Sequence, residues 1–142
     1  MSSLDDPVTI LLGRSAKALT RAFDEALGAV GGSVPTWLVL LALTENDHRT
    51  QGELAAAVGV RQPTLTHHLD TMERAGFVTR VREAGDRRSQ RVVVTESGRQ
   101  LFLRLRRAAG AFDGRVRAGL ADGEIDDLRR VLAQLVENAQ AD

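Results

Sequence analysis

Between residues 50 and 95 the hydrophobic spacing changes period, and that change constrains the fold more than any other feature of the chain. Thr50-Gln51-Gly52-Glu53 has the form of a capping box, in which the Thr50 hydroxyl accepts from the Glu53 amide while the Glu53 carboxylate reaches back. The spacing predicts a short helix over Gln51 to Val58, with Leu54, Ala55 and Val58 buried and Gly59 supplying the left-handed turn that stops it. A second helix follows at once, with Pro63 near its first position, Leu65, Leu69 and Met72 on one face, and Gly76 closing it. From Phe77 the pattern becomes that of strands. Phe77 to Arg82 and Arg91 to Thr95 are rich in β-branched residues, and Ala84-Gly85-Asp86 between them carries turn chemistry. A hairpin with a loop of about eight residues is expected.

The flanks read as helix throughout. Leu4, Val8, Leu11, Leu19, Phe23 and Leu27 recur at helical spacing, and Gly28, Gly31 and Gly32 end that segment. Ser33 can cap the next helix, with Pro35 in its first turn. Val34 to Leu43 is apolar nearly all round, as a helix buried in the middle of a fold would be. Thr95 can cap a long helix to about Leu120, and Asp122 a last one bearing Ile125, Leu128, Val131, Leu132 and Leu135. The fold class is therefore mainly α with a small β-hairpin wing (α+β). The expected architecture is a single domain over 1–142, with a winged helix-turn-helix lobe at 34–95 and dimerisation helices at 4–30 and 96–140.

Charge points to the partner. The chain is formally neutral, yet residues 61–107 hold 11 basic and 5 acidic side chains, while 1–60 and 108–142 are each net negative. A basic middle between acidic ends is the footprint of a nucleic-acid surface on a neutral body. The absence of cysteine removes disulfides, thiolate metal sites and thiol-based redox sensing. No apolar run reaches the length of a membrane span, and the acidic start from Met1 to Pro7 lacks the features of a secretory signal, so a cytoplasmic protein is expected.

In such a lobe the first short helix braces the second, whose exposed side enters the major groove of double-stranded DNA. That side offers Arg61, Gln62, Thr64, Thr66 and His67. Gln62 can bond adenine edges, the threonines can meet phosphates or thymine methyls, and His67 can donate to a phosphate or base. On the wing, Asp86-Arg87-Arg88 stands between Arg80, Arg82 and Arg91. An arginine on a thin hairpin can reach a narrow minor groove, with Asp86 orienting Arg88 or fixing the loop. Taken alone, these charges equally suit a solvated loop, and the helix an ordinary amphipathic surface; their conjunction favours DNA.

The run Gly52-Glu53-Leu54-Ala55, Pro63 through Leu69, Glu73-Arg74-Ala75-Gly76-Phe77-Val78-Thr79-Arg80, Asp86-Arg87-Arg88 and Val94-Thr95-Glu96-Ser97-Gly98 resembles the MarR family of transcriptional regulators over essentially the whole chain. The resemblance implies a homodimer on a palindromic operator and repression relieved by a small molecule. It also implies that Arg88 is the minor-groove arginine, Asp86 its partner, and Thr64 and Thr66 recognition contacts. His67 departs from the arginine that many members carry there.

The same chain admits other readings. Apolar stripes on the first and last helices suit subunit pairing. Phe23 and Trp37 could line a cleft for a small aromatic or lipophilic effector, although simple core packing explains them as well. His67, His68 and Asp70 are clustered and His48 lies in the preceding loop, but adjacent histidines on a helix point about 100° apart, so no metal site is expected. No phosphate loop or nucleophile elbow is present, so neither catalytic residues nor cofactors are expected. The alternative function is a winged-helix protein-interaction module without specific DNA binding.

Overall fold

A computed structural model describes residues 6–45, 50–82 and 90–142. The elements run α1 (Val8–Gly28), α2 (Val34–Glu45), α3 (Gln51–Val58), α4 (Gln62–Arg74), β1 (Val78–Arg82), β2 (Gln90–Val94), α5 (Glu96–Val116) and α6 (Asp122–Gln140). The chain divides into two compact units, 1–109 and 110–142.

The core of the first unit is built on α2, as its lack of a polar face requires. Val39, Leu40 and Leu43 are fully buried together with Leu27, Leu54, Leu65, Leu69, Leu101 and Leu105. Each such leucine contributes about 2 kcal/mol of burial. Ser33 caps α2 by accepting from the Thr36 amide at 3.2 Å. Asp24 of α1 adds a cap that sequence spacing does not reveal, its Oδ1 accepting from the Val34 amide at 2.9 Å.

The central helix pair forms as its local signals dictate. The Thr50 Oγ1 accepts from the Glu53 amide at 3.2 Å, and Gly59 takes φ +81°, a left-handed conformation that L side chains rarely adopt. Helix α4 then begins with Pro63 in its first turn and buries Leu65, Leu69 and Met72. The strands pair antiparallel with Val78 opposite Val94, Arg80 opposite Val92 and Arg82 opposite Gln90. Val78, Val92 and Val94 face the core.

Thr95 joins the hairpin to α5. Its hydroxyl donates to the Gly76 carbonyl at 2.5 Å and accepts from the Gly98 amide at 3.0 Å, while its own amide donates to the Phe77 carbonyl at 3.0 Å. One residue thus closes the exit of α4 and opens α5.

Several boundaries differ from expectation: β1 starts at Val78 rather than Phe77, β2 spans Gln90–Val94 rather than Arg91–Thr95, and α2 continues to Glu45. Helix α1 starts at Val8 behind Pro7, and residues 1–5 lie outside the described set. Helix α5 stops at Val116, before a turn over 117–119. The N-cap of α6 is Ala121, not Asp122; Asp122 is the first helical residue, and the Glu124 carboxylate accepts from the Ala121 amide at 3.0 Å. Within the second unit, α6 has no buried residue.

Candidate nucleic-acid interface

Helix α4 separates its side chains cleanly. Arg61, Gln62, Thr64, Thr66 and His67 are all exposed, while Leu65, Leu69 and Met72 are held in the core. No described side chain caps its first turn, so backbone amides remain available there, where the helix dipole favours an anion. The Thr66 hydroxyl donates to the Gln62 carbonyl at 3.0 Å. That fixes its rotamer and leaves its methyl and lone pairs for an incoming surface. The Gln62 amide folds back over α3, so close to Gly52 that a Cβ there would lie 3.0 Å from Nε2. Gln62 is therefore partly preorganised by the absence of a side chain at residue 52.

The hairpin is tied to the helix pair at two points. Gln51 Nε2 donates to Gln90 Oε1 at 2.9 Å, joining the start of α3 to the base of β2. On the other strand, the Arg80 amide donates to Glu73 Oε2 at 3.0 Å. Its guanidinium donates to Glu73 Oε1 at 3.1 Å and pairs with the Asp70 carboxylate. The Arg80 side chain is only 19% exposed. Its guanidinium hydrogen bond, followed by its amide hydrogen bond, holds the Glu73 carboxyl below its ordinary value, and Glu73 in turn raises Arg80. Arg80, expected to face DNA, is drawn against two carboxylates of α4. Asp86, Arg87 and Arg88, expected at the wing tip, lie outside the described residues, as does His48.

The expected effector residues, Phe23 and Trp37, are half-buried. Phe23 and Trp37 both lie against the core, and Trp37 stacks on Phe102 with centroids 5.4 Å apart and planes at 13°. Beside that pair, on the Phe102 side, lies a cleft of about 270 Å³. It is lined by Leu40, Thr44, Val94, Arg99, Phe102 and Leu103. Arg99 and Leu103, four residues apart on one face of α5, lie beyond the lobe that the sequence marks off at 34–95, so no signal within that lobe points to them.

Comparison with known proteins places this geometry. The chain superimposes on the transcriptional repressor CouR bound to a 23-mer DNA duplex with TM-score 0.86 and 27% identity, covering 96% of each chain. It is also similar to CouR from Rhodococcus jostii bound to p-coumaroyl-CoA (TM-score 0.77, 27% identity, 95% of each chain). A MarR-family regulator from a Rhodococcus species matches with TM-score 0.80 and 26% identity, over 95% of this chain and 96% of that one. Residues 31–89, from the approach to α2 to the position before β2, match the MarR family profile. The chain belongs to the MarR family. As a MarR-family protein it is a DNA-binding transcriptional regulator of winged-helix fold.

Proposed function

We propose that this MarR-family protein is a repressor that binds a palindromic operator as a homodimer in the cytoplasm and releases it when a small ligand binds. The observation that carries the reading is the outer face of α4. It presents Arg61, Gln62, Thr64, Thr66 and His67 in order from its uncapped end, and among the described residues no large apolar side chain is exposed on α3 or α4. A protein-docking version of the fold would place apolar anchors there. Arg87 and Arg88, oriented by Asp86, would extend the contact into the minor groove.

Pairing of subunits is supported separately on each unit. Val8, Ile10, Leu11 and Leu19 on α1, and Leu128, Val131, Leu132 and Val136 on α6, are exposed by 37% to 56%. Contiguous apolar stripes of this kind are normally covered by a partner. Two copies would set their α4 helices roughly 34 Å apart, one turn of DNA.

For the effector, the cleft between α2, β2 and α5 is apolar with one guanidinium at its edge, which suits an aromatic or acyl ligand carrying an anionic group. CouR, bound in one structure to an aromatic acyl thioester, is consistent with that class.

Selection of duplexes from a random pool tests the reading. Enrichment of an inverted repeat with half-sites one helical turn apart supports it, and expression from a reporter carrying that repeat should fall when the protein is present. Enrichment of no sequence, or of a single half-site, would refute it.

A further inference from the structure

The readers Thr66 and His67 occupy the same stripe of α4 as Asp70 and Glu73, which follow at intervals of three and four residues. A helix approaching DNA with that stripe would bring two carboxylates toward the phosphates behind its own readers. Like charges at such a surface oppose association. Both carboxylates are engaged by one residue, Arg80, which reaches across from β1 with its side chain four-fifths covered. Its backbone amide is held by Glu73 as well, so strand and helix meet through three hydrogen bonds at one point.

We infer that Arg80 is a positioning residue that acts on DNA through α4: it holds the Asp70 and Glu73 carboxylates away from the phosphate backbone and cancels their charge, without touching DNA itself. The inference rests on the DNA-binding reading above and reassigns one residue within it. The basic charge of the lobe then divides into two kinds. Arg80 is engaged internally against α4, and Arg61, Arg87 and Arg88 are among the charges left to the DNA.

The experiment uses the full chain and a duplex enriched by the wild-type protein. Affinities are compared for wild type, Arg80→Met, which keeps the covered stem, the double variant Asp70→Asn/Glu73→Gln and the triple variant Arg80→Met/Asp70→Asn/Glu73→Gln. Two uncancelled carboxylates near the backbone should lower the affinity of Arg80→Met roughly tenfold. Removing those carboxylates should bring the triple variant back to within about threefold of both wild type and the double variant Asp70→Asn/Glu73→Gln, whereas loss of a direct DNA contact would leave the triple variant roughly tenfold weaker than the double. Arg80→Met binding like wild type, or a triple variant as weak as Arg80→Met, would overturn the inference. If Arg80→Met fails to fold, as judged by circular dichroism, the double variant Asp70→Asn/Glu73→Gln decides. Affinity at or above that of wild type supports cancellation, and a tenfold loss contradicts it. Failure of the wild-type protein to enrich any duplex would refute the DNA-binding reading, and this inference with it.

Discussion

Gly98 of α5 lies directly against the Phe77 carbonyl: a Cβ at residue 98 would meet that oxygen at 2.1 Å and the Val94 Cγ1 at 2.8 Å. The contact is with backbone, which cannot swing aside as a side-chain tip could. It seats the first turn of α5 on the start of the hairpin, where Thr95 already binds Gly76 and Phe77.

Gly98→Ala should therefore destabilise the protein by about 1–3 kcal/mol, although alanine is the better helix former. Urea unfolding checks this. A midpoint equal to or above that of wild type would mean that α5 is not seated this way.

Gly52→Ala should behave in the opposite manner. The atom its Cβ approaches is Gln62 Nε2, the end of a flexible side chain, so stability should be unchanged or rise by up to about 1 kcal/mol. The Gln62 amide is displaced from its resting place, and binding to the selected operator should weaken several-fold while non-specific binding stays constant. Competition titrations with operator and unrelated DNA separate the two.

The Glu73 carboxyl titrates below its ordinary value of 4.5 because it accepts from Arg80. A depressed folded-state value means that the carboxylate stabilises the fold at every pH above about 4.5, and that this contribution fades as the pH falls through the lower folded value. The stability difference between wild type and Glu73→Gln should be constant from neutrality down to about 4.5 and close below it. Urea midpoints across that range provide the check; a difference that varies between about pH 5 and 7 would mean that another group is titrating.

Arg88→Ala should weaken operator binding strongly without changing thermal stability. The log–log salt slope should become shallower by about 0.9 for each phosphate that the variant no longer neutralises. Equal affinity of the two proteins would remove the wing arginine from the mechanism.

The parts of the fold that the sequence disclosed are those governed by neighbours in the chain. Thr50 capping Glu53, the left-handed Gly59 and the alternation of Val92 and Val94 are each set within a few residues. They define α3, α4 and the hairpin to within a residue or two. Asp24 capping α2 and Gln51 meeting Gln90 depend on elements brought together only by folding, 10 and 39 residues apart, and nothing local announces them. Arg80 was legible as a charge but not as a partner, because Asp70 and Glu73 precede it across the turn that reverses the chain. Trp37 was legible as aromatic and interior; its stacking on Phe102 needs α5 laid against α2, which helical periodicity cannot orient.

A dimer that reads one operator is the central claim, and fluorescence anisotropy tests it most directly. Labelled DNA from immediately upstream of the protein's own gene is titrated in the presence of excess unrelated duplex. The expected result is saturable binding by two chains per duplex that survives the competitor and weakens steeply with salt. Saturation at one chain per duplex, or disappearance of the signal in favour of unrelated DNA, would contradict it.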